Sequence, residues 1–205
     1  MTEKMRDFVK SGYNKGMYSK VYSRDKNEFD TFEKFMCDNL ISRLKKDSKI
    51  LDLGCGIGLP YDKYFCKNKF LIVGVDSSKK HILKARKNVP EGKFLVDDFF
   101  SKEVKGKFDA IVSFYSIFHI PRNEHKKLFV YINSLLKKDG CILITLGVDS
   151  MKYVVNENFV GSPMAWSSYN VKKNKQLVQD AGFKIILCAE DYRTERHLWI
   201  LARKK

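Results

Sequence analysis

The sequence predicts one α/β domain built on a mostly parallel sheet, and three observations lead there. From Lys49 onward, short β-rich runs alternate with helical segments, which is the pattern of βαβ units. The runs "FLIVGV" and "CILIT" are continuously apolar, as strands buried on both faces must be. The last two runs, "FKIILCAE" and "HLWILAR", are separated only by "DYRTER", so they form an antiparallel hairpin at one edge of the sheet. A chain of 205 residues is large enough for one domain with a real hydrophobic core.

The elements follow in order. Residues 1–46 are polar with interspersed aromatics. Phe29, Phe32, Phe35, Met36, Leu40 and Leu44 recur at three- and four-residue spacing, which predicts a helix over about 27–45 packing its stripe on the core. Residues 1–46 are thus a helical cap on an α/β core, 47–205, within a single domain. "KILDL" opens the sheet, followed by a helix near 58–67, "FLIVGV", a helix from Ser78 to about Asn88, "KFLV" and "FDAIVSF". A helix over about 122–137 then leads into "CILITLG", a loop, and a helix near 170–181 before the final pair. The composition is 44% hydrophobic and 31% charged, ordinary for a soluble globular chain. The longest apolar run, "IVSFYSIFHI", is far short of the roughly 20 residues of a membrane helix. "MTEKMRDFVK" lacks the apolar stretch of a secretion signal. Five scattered cysteines without a CxxC pair point to reduced thiols in the cytoplasm. The net charge of +15 rests on lysines spread along the chain. Compositional bias and solubility explain it most simply, and a basic binding surface is the alternative.

Beyond the first strand lies "GCGIG", glycines at 54, 56 and 58. Without Cβ atoms such a turn can take positive φ and admit a ligand against its backbone. Ligands of open α/β sheets bind beyond the carboxyl ends of the strands. The turn is not a P-loop, which needs GxxxxGK[ST]. Nor is it a G-x-G-x-x-G fingerprint, because Leu59 stands at the third position. It has the form Asp52-x-Gly54-x-Gly56-x-Gly58. The second strand ends in Asp76, twenty positions after Gly56, placed to accept hydrogen bonds from both hydroxyls of a ribose. Ser77 or Ser78 caps the following helix. "FLVDDFF" ends a third strand in Asp97 and Asp98, and "FDAIVSFYSIFHI" and "LLKKDGCILIT" complete the set.

In this order and spacing, these motifs resemble the class I S-adenosylmethionine (SAM)-dependent methyltransferases, from about Lys49 to the C-terminus. The resemblance implies a Rossmann-like three-layer sandwich with a seven-stranded, mostly parallel sheet ending in the antiparallel hairpin. It implies an enzyme that transfers the methyl group of SAM by direct displacement, leaving S-adenosylhomocysteine (SAH). Asp52, Gly54, Cys55, Gly56 and Gly58 would approach the amino-acid part of SAM. Asp76 with Ser77 would hold the ribose. Asp97 or Asp98 would bind the adenine amine with the backbone at Phe99, and alignment of "KFLVDD" favours Asp98. Ser113 and Phe114 stand where enzymes of exocyclic or amide nitrogens carry an NPPY-type motif; the departure argues against DNA adenine or protein glutamine acceptors. "FHIPRNEH" and "GSPMAWSSYN" look like features of bacterial and archaeal small-molecule methyltransferases. The expected partner is therefore a small acceptor, with no membrane, with nucleic acid open but not favoured, and with a monomer or homodimer as the working state. An RNA methyltransferase and a non-catalytic SAM-binding module are the alternatives.

A base is needed only where the acceptor must lose a proton. His119, after the fourth strand, has a suitable pKa range, against the plainer role of a hydrogen-bonded structural histidine. His125 is expected in solvent, His81 on a helix surface, and His197 in a structural role. No histidine has metal-ligand spacing with Cys or acids, so no metal is expected. Tyr13, Tyr18 and Tyr22 fit one face of a short helix, either a lid or a simple anchor. Met164 and Trp166 fall in an expected exposed loop, 160–169, as a substrate wall or a core plug. Tyr18, Tyr22, Tyr115, His119 and Trp166 are the candidate acceptor contacts. Cys55 is a small filler, with no basic neighbour in sequence to activate it.

Overall fold

A computed structural model describes residues 2–15, 29–159, 161–192 and 196–205. Helix α1 (Thr2–Lys15) and helix α2 (Thr31–Ile41) precede the sheet. Then come β1 (Lys49–Leu53), α3 (Tyr61–Lys67), β2 (Leu71–Asp76), α4 (Lys79–Asn88), β3 (Lys93–Val96) and β4 (Phe108–Ser113). After two short 3-10 turns, Ile117–His119 and Arg122–Glu124, follow α5 (His125–Leu135) and β5 (Leu136–Gly147). The chain ends with β6 (Met151–Phe159), β7 (Ser162–Ser168), α6 (Val171–Asp180), β8 (Phe183–Asp191) and β9 (His197–Lys204). No described helix is long and apolar enough to cross a membrane.

Local chemistry sets the helix starts. Asp30 accepts a hydrogen bond from the Phe32 amide at 2.8 Å ahead of α2. Asn170 accepts from the Lys173 amide at 2.9 Å ahead of α6. Ser78, not Ser77, caps α4 by accepting from the His81 amide. Such caps are worth about 1 kcal/mol each.

The seven-stranded sheet has the order β3-β2-β1-β4-β5-β9-β8. β1 to β5 pair in parallel, and β9 runs antiparallel to both β5 and β8. The final hairpin is as expected, with β9 inserted next to β5 and β8 as the outer strand. Alternate residues enter opposite cores. Leu51, Leu53, Ile111 and Ile142 pack with Leu128, Phe129 and Ile132 of α5. Ile50, Val112 and Leu143 pack with Met36, Leu40 and Phe65 on the other face. Burial on both faces gives three layers.

Two expectations are corrected. The helix expected over 27–45 spans Thr31–Ile41. The expected exposed loop is instead a two-stranded antiparallel sheet, β6 with β7. Met164 is fully buried there, in a small core with Met5, Val9 and Ala165 that joins the hairpin to α1. The turn around Gly161, at φ 76°, lets the chain reverse.

Candidate active site

The strand order reverses between β1 and β4, which places the glycine loop at the switch point where such sheets bind ligands. Gly54, Gly56 and Gly58 have φ of 82°, 54° and 76°, the region costly for other residues. The amides of Gly54 and Cys55 donate to Val75 O at 2.8 and 3.0 Å, tying the loop to β2. A Cβ at Gly54 would meet Ser116 Oγ at 2.4 Å, whereas one at Gly56 would meet nothing within 4 Å. The loop is therefore closely backed at Gly54 and open above Gly56, a surface that fits a ligand lying on backbone.

Asp76 Oδ2 accepts from the Gly56 amide at 2.9 Å, and Oδ1 accepts from the Ser78 amide at 2.8 Å. Its carboxylate thus joins the loop to the start of α4, and about two of its four lone-pair positions stay available. His81 Nδ1 lies 3.4 Å from Asp76 Oδ1. His81 is buried, contrary to the surface position expected, because it faces Asp76 and the edge of the Tyr13 ring at 5.1 Å.

Asp97 turns inward, accepting from the Asp98 amide and the Ser101 hydroxyl. Asp98 accepts from the Phe99 amide at 2.6 Å and from Arg6 at 2.6 Å. Arg6 also pairs with Glu124. The rest of the predicted cofactor set lies beneath. Ser113 is buried and its hydroxyl donates to Leu53 O at 2.7 Å, bracing the strand end from which the loop springs. Phe114 stacks on Tyr61 at 3.8 Å. Ser77 is half-buried. Cys55 is buried, and burial pushes its thiol well above its ordinary value.

Asp52 points into the α3 side of the core and meets Asp62, and both are almost fully buried. Loss of solvent raises both carboxyls, Asp62 to about 7 and Asp52 well above the carboxylate range, since two like charges cannot both ionise cheaply in a dry site. No local pattern marks Asp62, which reads as an ordinary first-turn acid of α3.

Over the loop lies α1. The Ser78 hydroxyl donates to Asn14 Oδ1 at 3.0 Å. Tyr13 OH is 2.9 Å from His119 Nε2, and His119 Nδ1 is 2.8 Å from Ala165 O of β7. A carbonyl oxygen only accepts, so Nδ1 carries the proton and Nε2 accepts from the Tyr13 hydroxyl. Burial holds His119 down to about 4, so the ring is neutral at pH 7. Trp166 packs on the Phe159 ring at 4.8 Å and 6.1 Å from His119.

Tyr115 stands on the α2 side, with φ 53°, its hydroxyl on Glu33 at 2.7 Å and its ring against His197 at 4.7 Å. Tyr18 and Tyr22 lie outside the described residues. His125, expected in solvent, is buried against Phe129 and Tyr169, which holds it to about 4.

Residues 50–140 match the family model described as a methyltransferase domain. An uncharacterised methyltransferase of Alkaliphilus oremlandii is 28% identical over 130 residues, 60% of this chain and 59% of that one. Phosphoethanolamine N-methyltransferase 3 of Arabidopsis thaliana is 33% identical over 168 residues, 78% of this chain and 33% of that one. The chain thus spans about a third to three-fifths of the length of these curated relatives. Among solved structures, the 1,6-didemethyltoxoflavin-N1-methyltransferase of Burkholderia thailandensis, with its namesake compound and SAH bound, superposes with a TM-score of 0.78 at 15% identity, covering 100% of this chain and 91% of that one. With the glycine loop, the acid-ended strands and this sheet order, the chain has the Rossmann-like fold of the class I SAM-dependent methyltransferases, and its residues 50–140 match a methyltransferase domain.

Proposed function

We propose that this chain binds SAM on the glycine loop and methylates a small molecule held between the loop and the roof made by α1 and the β6–β7 hairpin. The observation that carries the reading is the Tyr13–His119 pair. Its imidazole is neutral, with Nδ1–H fixed on Ala165 O and the Nε2 lone pair turned to the Tyr13 hydroxyl. When bound, SAM would supply a sulfonium methyl group for in-line attack by an acceptor atom, with SAH as the leaving group. Asp76 offers its remaining lone pairs to the ribose, and Asp98 with the Phe99 backbone takes the adenine side. The open backbone above Gly56 receives the amino-acid end. His119 Nε2 accepts the acceptor's proton directly or through the Tyr13 hydroxyl. Tyr13 and Trp166 form the apolar wall, as small-molecule pockets commonly have. Tyr18, Tyr22 and Tyr115 remain further acceptor candidates.

Two similar proteins support a small acceptor: one is named for phosphoethanolamine, the other for 1,6-didemethyltoxoflavin. The reading treats the chain as one domain, with residues 1–46 capping the core. The described cysteines are unpaired, which supports a reducing compartment such as the cytoplasm.

Calorimetric titration tests the first half. SAM and SAH should bind with micromolar affinity, roughly −8 kcal/mol, and absence of both heat and thermal shift would sink the reading. A panel of small amines, phenols and alcohols with methyl-labelled SAM tests the second. On the acceptor that reacts, His119→Asn should slow turnover by about 10²–10⁴, the range of general acid–base catalysis, with SAH affinity kept.

A further inference from the structure

The amino edge of the sheet, opposite the glycine loop, gathers most of the chain's excess charge. Parallel pairing brings the starts of β1 to β5 to one edge, and antiparallel β9 ends there. The segments that lead into or open these strands, 43–49, 67–69, 91–93, 105–107 and 137–139, together with 203–205 at the end of β9, total 22 residues. They hold 14 Lys and Arg against 3 Asp and Glu, a net +11 of the chain's +15. The other 183 residues hold 25 against 21, a net +4. The basic character that looks scattered in sequence is therefore polarised in space.

Helix ends do not account for it. Cations favour helix C-termini, and five of the described helices end at this edge. Yet α2, α5 and α6 carry no basic residue in the last turn. Within the cluster, Lys204 donates to Asn133 O and Leu136 O, Lys107 donates to Ser134 O, and Lys137 pairs with Asp109 at 2.9 Å. Those three serve the fold. Lys45, Lys46, Lys69 and Lys138 are exposed, and among the described residues none of them has an acidic partner within ion-pair distance. Such uncompensated charge at close spacing costs self-repulsion.

We propose that this edge seats the sugar–phosphate backbone of a single-stranded nucleic acid, away from the methyl-transfer site. The six adjacent strands that carry these segments, about 4.8 Å apart, make a row roughly 24 Å long, which matches a linear polyanion. The charges on the unpartnered positions are lysines, point charges without the planar fork that reads bases, so the contact is independent of sequence. Leu71 is the one exposed large apolar residue among the described residues of these segments and strand starts, too little for a membrane anchor. The position separates this contact from catalysis: the nucleic acid is a tether, not the methyl acceptor.

Anisotropy of a labelled oligouridylate of about 20 nucleotides, followed across a salt series, is the test. Binding should be visible at low salt, with log affinity falling against log salt at a slope near −0.7 per phosphate engaged. The quadruple variant Lys45→Gln, Lys46→Gln, Lys69→Gln, Lys138→Gln should lose at least about tenfold in affinity and flatten the slope by about 3. Its SAH titration, unchanged, checks the fold. A matched variant at the carboxyl edge, Lys79→Gln, Lys80→Gln, Lys126→Gln, Lys127→Gln, should bind the oligonucleotide within about twofold of wild type. Equal losses in both variants, or no binding at about 50 mM salt, would overturn the proposal. So would capture by anionic phospholipid vesicles in place of the oligonucleotide.

Discussion

The floor and the roof of the site are made of different material. The floor is backbone, with three glycines at positive φ pinned by Val75 O, by Asp76 and by the buried Ser113 hydroxyl beneath. The roof is side chain, with Tyr13, Phe159 and Trp166 carried on a helix and a hairpin that share a small core of their own. Backbone amides and carbonyls are the same in every sequence, so a floor of this kind suits a ligand that never changes. A roof of aromatic side chains can be altered one residue at a time without moving the sheet. The difference teaches where each kind of specificity resides.

Removing the floor's main anchor should have the largest effect. Asp76→Ala should weaken SAH binding by about 10²–10⁴, two hydrogen bonds to a charged group at roughly 1.5–3 kcal/mol each. Circular dichroism should stay native, and an unchanged Kd in calorimetry would break the assignment of the floor. The roof should respond differently. Trp166→Ala should lower methyl transfer by about 10²-fold, the scale of a small misplacement of the reacting groups, with SAH affinity within about threefold of wild type. Equal losses in both readouts would erase the distinction between the two regions.

The smallest effect sharpens the comparison, because it lies under the floor alone. Asp52 and Asp62 are raised in the folded protein. Their contribution favours folding below the ordinary carboxylate range and is lost as pH rises through the folded value, about 7 for Asp62. Taken alone, this pair therefore lowers the thermal midpoint as pH rises from about 4 to about 7, the folded value of Asp62. Asp62→Asn, which can donate its amide to Asp52, should remove most of that slope and run about 2–4 °C higher per kcal/mol recovered at the alkaline end. Between about pH 4 and 6.5 the buried histidines act in the opposite sense in both proteins. His119 and His125 are held to about 4 from an ordinary 6.5, so their stabilisation is present above that ordinary value and is lost as pH falls towards 4. Melting curves across pH measure both limbs.

What was legible in the sequence follows the same division. The loop could be read because positive φ leaves a mark: only glycine adopts it freely, and three glycines stood behind an apolar run. Asp76 could be read from its fixed distance along one βαβ unit. Tyr115 takes positive φ without being glycine, so no residue type announced it. The β6–β7 hairpin leaves only a weak trace, Tyr153-Val154-Val155 ahead of Gly161 among polar residues, too short to mark a strand. His81 and His125 each sit beside a lysine pair, which points outward, yet burial of a histidine depends on partners distant in sequence, here Asp76, Tyr13 and Tyr169. The Asp52–Asp62 contact depends on how α3 crosses β1, which no local pattern encodes.

Helix α1 has 14 residues, about 21 Å of rod. Along that length it touches Asp98 through Arg6, β7 through Gly12, His119 through Tyr13 and Ser78 through Asn14. A Cβ at Gly12 would lie 2.1 Å from Pro163 O, so helix and hairpin meet backbone to backbone and cannot slide. On the proposed reading, one rigid bar then closes both chambers. Any opening wide enough to exchange the nucleoside also unseats the acceptor wall, so arrival and departure of the two ligands become a single gated event rather than two independent ones.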